Sequence, residues 1–154
     1  MKRTFLTILL MMICFNLIAE DIKPPDWDIG DFYKIINRAR MEHGLKPLMR
    51  FLPLQYIAKQ ESKTCAKIET VGYWFSKKAT MQVLEDKFKT KVFNLNYYTL
   101  KEANIFKRTP EDLLAPAFEQ IAGNPIFFKD INAMGISIHM KGLFYYITIV
   151  LGRI

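Results

Sequence analysis

Gly135-Ile136-Ser137-Ile138-His139-Met140-Lys141-Gly142-Leu143-Phe144-Tyr145-Tyr146-Ile147-Thr148-Ile149-Val150-Leu151-Gly152 is the stretch that decides the fold. Its first half alternates Ile136, Ile138 and Met140 with Ser137, His139 and Lys141, the two-residue period of a strand with one apolar face. Lys141-Gly142 turns the chain, and residues 144 to 151 return it as the second arm of a β-hairpin. Apart from Thr148 the returning arm is apolar on both faces, which places it centrally in a sheet covered on both sides.

The covering layers are helical. Ile29, Phe32, Ile36 and Ala39 recur at three- and four-residue spacing, with Lys34, Arg38 and Arg40 on other faces. This is an amphipathic helix that Asp28 or Asp31 can cap and Gly44 ends, and Leu45 and Leu48 flank Pro47 to pin its exit loop to the core. A second helix, from about residue 53 to 67, begins with Pro53 and buries Leu54, Ile57, Ala58 and Cys65. Residues 71 to 75 read as a loop or short strand, and a third helix then groups Met81, Leu84 and Phe88. From Lys91 the pattern changes to Val92, Phe93, Leu95, Tyr97 and Tyr98 with Asn94 and Asn96 between, a strand or extended loop. Residues 103 to 106 read as a central strand. Thr109-Pro110-Glu111-Asp112 starts a further helix, with Leu113, Leu114, Ala117, Phe118 and Ile121 on its apolar face, a kink at Pro116 and an end at Gly123. Helices before, between and after strands give an α+β chain, a three-layer α/β/α sandwich around a central, mainly antiparallel sheet.

At 154 residues there is room for one core, assigned to residues 29–154 behind an extended segment at 20–28 that contains Lys23-Pro24-Pro25-Asp26. Lys2 and Arg3 precede an apolar run from Phe5 to Ile18, and Ala19 is followed by Glu20-Asp21, the order of a secretory signal peptide at residues 1–19. The run is shorter than the roughly 20 residues of a spanning helix, so cleavage near Ala19 is expected over a retained membrane anchor. Removing Lys2 and Arg3 takes the net charge from +7 to +5. A modest positive charge attracts anionic membrane surfaces, glycans and acidic partners weakly and at long range. The cations are interspersed with acids, as in Lys59-Gln60-Glu61 and Glu85-Asp86-Lys87, which excludes the Lys/Arg blocks of a nucleic-acid binder. Cys14 lies in the signal, so Cys65 stands alone in the mature domain as a buried thiol and the core must stabilise the fold without a disulfide.

Taken in order, Ile36-Asn37-Arg38, Gly44-Leu45-Lys46-Pro47-Leu48, Ala103-Asn104-Ile105-Phe106, Thr109-Pro110-Glu111 and the terminal hairpin resemble the CAP (SCP/PR-1) superfamily of secreted domains over roughly residues 29 to 152. What the resemblance implies about a site is a set of replacements. Phe75-Ser76-Lys77 stands where many members carry Phe-Ser-His, which makes Lys77 the first cavity position. The family's Glu-Asn-Ile strand is Ala103-Asn104-Ile105, with Glu102 one residue early and therefore on the opposite strand face. Asn124 follows Phe118 at the spacing of the second cavity histidine, and Glu85 is the nearest counterpart of a further cavity carboxylate. With a cation at Lys77 the resemblance implies no bound metal, no cofactor and no metal-activated water.

His43 beside Gly44 reads as a helix-end cation, and His139 as a surface residue near the hairpin turn. Neither has a nucleophile elbow or a glycine-rich phosphate loop beside it. The adjacent aromatics Tyr73-Trp74-Phe75, Tyr97-Tyr98, Phe127-Phe128 and Tyr145-Tyr146 cannot all face one side, so some line a groove or reach the surface. Three functions stay open. The first is a secreted, non-catalytic binder of a lipid or sterol or of a protein partner. The second is an enzyme with a rearranged site that uses Glu85, Glu102 or His139, and the third is a membrane-anchored surface protein. N-terminal sequencing of the secreted chain is expected to begin at Glu20.

Overall fold

The structure is a computed structural model, and it describes residues 27–72, 74–103, 109–119 and 121–154. The signal segment at 1–19, most of the extended entry and the Asn104-Ile105-Phe106 part of the expected central strand lie outside the described residues. Asp28 opens α1 (Ile29–Glu42) by accepting from the Gly30 N–H at 2.9 Å, and Gly44, at φ +70°, takes the left-handed conformation that ends it. The remaining helices among the described residues are α2 (Leu52–Ile68), α3 (Lys77–Phe88), α4 (Pro110–Phe118) and a 3₁₀ turn at Pro125–Phe127. Thr109 and Asp112 form a reciprocal capping box at the start of α4.

Four strands, β1 (Met49–Arg50), β2 (Phe93–Ala103), β3 (Ala133–Lys141) and β4 (Phe144–Arg153), make one sheet in the order β1-β3-β4-β2. Only the short β1–β3 pair is parallel. The doubly apolar β4 is central, as its sequence requires, because each face meets a helical layer. Ile147, Ile149 and Leu151 pack with Phe32, Ile36, Leu113 and Leu114 of α1 and α4. On the other face, Val150 and Ala133 pack with Leu54 and Ile57 of α2 and Leu84 of α3. The spacing of the α2 layer is set at Gly135, where an added Cβ would lie 2.1 Å from the Gln55 nitrogen and the Leu54 carbonyl carbon. Helix and strand backbones touch there, and only glycine permits it. No helix among the described residues is long and apolar enough to cross a membrane.

Several details differ from the sequence reading. The segment read at 91–98 and Ala103, the described residue of the expected 103–106 strand, belong to one long strand, β2, which among the described residues pairs only with β4. It lies beside the central strand rather than at the centre. Residues 71 to 75 carry no strand among the described residues, and Met81 is exposed instead of joining Leu84. The helix α4 ends at Phe118, short of Gly123, and Ile121 lies beyond it, 45% exposed.

The largest correction is Arg40, which is not on a solvent face but 1% exposed. Its Nε donates to the Lys46 carbonyl at 2.9 Å, and Nη1 donates to the carbonyls of Ile126 and Phe128, the latter at 3.2 Å. One turn earlier Asn37 clamps Leu48 from both sides, donating to its carbonyl at 3.0 Å and accepting from its N–H at 2.8 Å. Together they fasten the α1–β1 loop and the 3₁₀ turn to one helix. Arg40→Met keeps much of the side-chain volume but leaves buried carbonyls unpaired, and it is expected to remove about 3–5 kcal/mol of stability. Urea titration followed by circular dichroism measures this as a lower midpoint at unchanged slope.

Candidate functional site

Ser76 caps α3 by accepting from the Ala79 N–H at 3.1 Å, which fixes Lys77 as the first helical residue. Lys77 is exposed, and its Nζ donates to Asn96 Oδ1 at 3.3 Å. Glu85, two turns on, is exposed and 3.9 Å from Lys91, a solvated pair of little energetic weight. Glu102 is in register with Tyr145 and so shares the α1/α4 face, while Ala103, opposite Phe144, belongs to the other. Asn124 is buried; its Oδ1 accepts from the Ile126 N–H at 3.0 Å and its Nδ2 donates to the Ala117 carbonyl. Those are the bonds of a cap tying the 3₁₀ turn to α4. Lys77 therefore sits in the α2/α3 layer and Asn124 in the α1/α4 layer, with the sheet between them, and Asn104 lies outside the described residues.

The two histidines are also apart. His43 Nδ1 is 2.8 Å from the Ala39 carbonyl at the end of α1, with its ring 5.0 Å from that of Phe127. His139, on β3, is half-buried rather than fully exposed, and burial followed by the nearby charges of Lys63 and Lys59 lowers its pKa. Among the described residues no group of three or more His, Cys, Asp or Glu side chains could hold a metal ion.

What the structure assembles at the expected place is different. Tyr56, Ile57 and Gln60 of α2 face Phe75 and Ala79, Thr80 and Val83 of α3 across a crevice of about 220 Å³. Its wall is stiffened by two polar contacts that composition and spacing did not single out as a site. Glu61 is 0% exposed, and its oxygens accept from the backbone N–H groups of Phe75 at 2.9 Å and Trp74 at 3.3 Å. Tyr97 donates to Thr80 Oγ1 at 2.6 Å, and burial pushes the Tyr97 hydroxyl up to about 12. Burial holds the Glu61 carboxyl above its ordinary 4.5, with the two amide bonds pulling the other way. The one signal for Glu61 was its place on the apolar stripe of α2 with Ile57, Ala58 and Cys65. Cys65 is itself buried, with Sγ 3.8 Å from the Gly72 carbonyl, and burial raises the pKa of its thiol.

On the far side of β3, β1 covers only Ala133 and Met134, and the Tyr33 hydroxyl continues the edge by accepting from the Ile136 N–H at 3.2 Å. Beyond it runs an open groove of about 570 Å³ lined by Trp27, Ile29, Ile138, Met140 and Tyr145, with Gln55, Ser137 and His139 as its polar members.

Solved structures share this architecture. An outer surface protein of Borrelia burgdorferi superposes with a TM-score of 0.67 at 11% identity, over 85% of this chain and 96% of that one. A cysteine-rich secretory protein of Staphylococcus aureus gives 0.59 at 19% identity, over 84% of this chain and 40% of that one. The fold is CAP-like. Hookworm platelet inhibitor gives 0.53 at 8% identity, over 86% of this chain and 74% of that one. No family model matches the sequence, and neither does any curated protein. On this CAP-like frame the crevice between α2 and α3 is apolar.

Because the folded state binds the Glu61 proton more tightly than the unfolded chain, the resulting stability is full below pH 4.5 and is lost as pH rises through the raised pKa. Glu61→Gln, neutral at every pH, is expected to lie furthest below the wild type in acid and to close the gap toward neutrality. Thermal unfolding from about pH 4 to about pH 8 reads the difference directly, free of His139, whose lowered pKa acts in the opposite direction in both proteins.

Proposed function

We propose that this CAP-like protein acts outside the cell or at its surface by binding rather than by catalysis, and that the α2–α3 crevice takes an apolar chain of a lipid or sterol. The carrying observation is the crevice itself, walled by Tyr56, Ile57, Phe75, Ala79 and Val83, with Gln60 and Thr80 as its polar members. At about 220 Å³ it is below the roughly 300 Å³ at which pockets for drug-sized molecules begin. That size suits an alkyl segment, with the remainder of the ligand outside. Six buried methylenes contribute about 5 kcal/mol, a sub-millimolar contact, so contacts at the rim must add to it.

The signal-like start supports an extracellular role, as do neighbours named as an outer surface protein and a secretory protein. A rearranged enzyme draws little support from the geometry. Glu85 pairs with Lys91 on α3, Glu102 shares the α1/α4 face, and His139 lies beside lysines of α2. Glu61 has both oxygens committed to backbone amides. A protein partner is the second reading, favoured by the open groove along β3, whose lining mixes apolar side chains with Gln55, Ser137 and His139.

Native mass spectra of the protein secreted from eukaryotic cells are expected to show an adduct with the mass of a fatty acid or sterol. In Ala79→Trp, whose indole fills the crevice while the Ser76 cap on its backbone N–H stays, occupancy should fall by roughly ten-fold or more with unchanged melting. A bare wild-type monomer that takes up neither added fatty acid nor cholesterol would sink the lipid reading.

A further inference from the structure

Three elements end together at one pole of the sheet: the C-terminus of α2, the β3–β4 turn and the end of β2. Lys141, leading into the turn, reaches the Lys67 carbonyl at 3.3 Å and the Glu69 carboxylate at 2.8 Å. Lys101 of β2 donates to the Glu69 carbonyl at 2.9 Å and lies 4.4 Å from the centre of the Phe144 ring. Around these cations the chain exposes large apolar side chains. Ile68 is 44% exposed and Val71 42%, while on the hairpin tip Leu143 is 42% and Phe144 39% exposed. The carboxylate in this contact set, Glu69, is paired with Lys141, which lowers its pKa. Lys67, Lys101 and Lys141 against Glu69 and Glu102 leave the pole with a net positive charge.

From this geometry we propose that the pole is a docking surface for an anionic phospholipid bilayer. Charge complementarity selects the partner. Cores of protein interfaces are depleted in lysine, whereas lysines ringing exposed aliphatic and aromatic side chains suit the boundary between headgroups and acyl chains. The apolar groups sit on a turn and a helix end, the left-handed Gly142 (φ +57°) holding the tip tight, so they project into an interface instead of enclosing a ligand. Each lysine near an anionic leaflet is worth about a five-fold gain in partition, screened by salt. The surface is separate from the α2–α3 crevice and does not depend on what the crevice holds.

The test is co-sedimentation of the secreted chain with vesicles of phosphatidylserine and phosphatidylcholine, and with phosphatidylcholine alone. The wild type is expected to pellet with the anionic vesicles, less so as salt is raised, and to stay in solution with the neutral ones. A variant carrying both Leu143→Ser and Phe144→Ser should lose roughly ten-fold or more in partition. Lys67→Glu, on an exposed helix position with no fold to disturb, should lose about five-fold or more and carries the test if the tip variant misfolds. Ala79→Trp should bind as the wild type does, which separates this surface from the crevice. Equal pelleting with both vesicle types, or folded tip and Lys67 variants that pellet like the wild type, would overturn the proposal. Indifference of the wild type to both vesicle types would overturn it too and leave the patch to a protein partner.

Discussion

The structure depends on a buried cation solvated by its own backbone. Arg40 projects from the last turn of α1 into a space where three carbonyls, from Lys46, Ile126 and Phe128, take the place of water. A guanidinium with five N–H donors can serve several acceptors at once, which a lysine on the same stem cannot do with the same geometry. The acceptors belong to two loops distant in sequence, so a single side chain fixes how the α1–β1 connection and the 3₁₀ turn approach each other. Asn37 repeats the device on a smaller scale by copying a backbone pair with Leu48. Loops that would otherwise carry unpaired buried carbonyls are thereby satisfied without a disulfide.

The opposite layer uses a buried carboxyl in a similar way. Glu61, inside the α2 interface, gathers the amides of Trp74 and Phe75, and so sets where Phe75 enters the crevice wall. The two helical layers are thus each held by a buried ionisable side chain whose partners are backbone groups. Lys77, Glu85, Glu102 and Asn124 take no part in these contacts and lie on different elements and on both sides of the sheet.

Much of the frame was legible in the sequence because it follows from burial periodicity. A strand apolar on both faces has few alternatives to the centre of a covered sheet, and β4 is there. The cap Thr109 was legible from residue type and position, and the first helix cap was narrowed to Asp28 or Asp31, of which Asp28 takes it. Less visible was whatever turns on a polar group going inward. Arg40 fell on the polar side of a helical wheel, and nothing local distinguishes a guanidinium that faces water from one that faces carbonyls. Glu61 sat on an apolar stripe without a visible partner, since its partners are amides that any residue supplies. The strand β2 was divided at residues 99–102, where the adjacent charges Lys101 and Glu102 resemble a solvated loop, whereas the chain there pairs residue by residue with β4. The family likeness located Lys77 and Asn124 in sequence, but their layers are set by packing, which spacing does not report.

Gly135 gives the α2 layer a fulcrum. At that point helix and strand backbones are in contact, with no side chain available as a shim, whereas at the other end of α2 Cys65 and Ala66 rest on the ring of Tyr146. One end of the helix is therefore pinned by direct backbone contact and the other by side chains that exchange size readily. Sequence drift at 65, 66 or 146 can swing α2 about its N-terminal turn and alter the width of the crevice while the α1/α4 face keeps its packing. The shape of the crevice is thereby open to change through residues that do not line it.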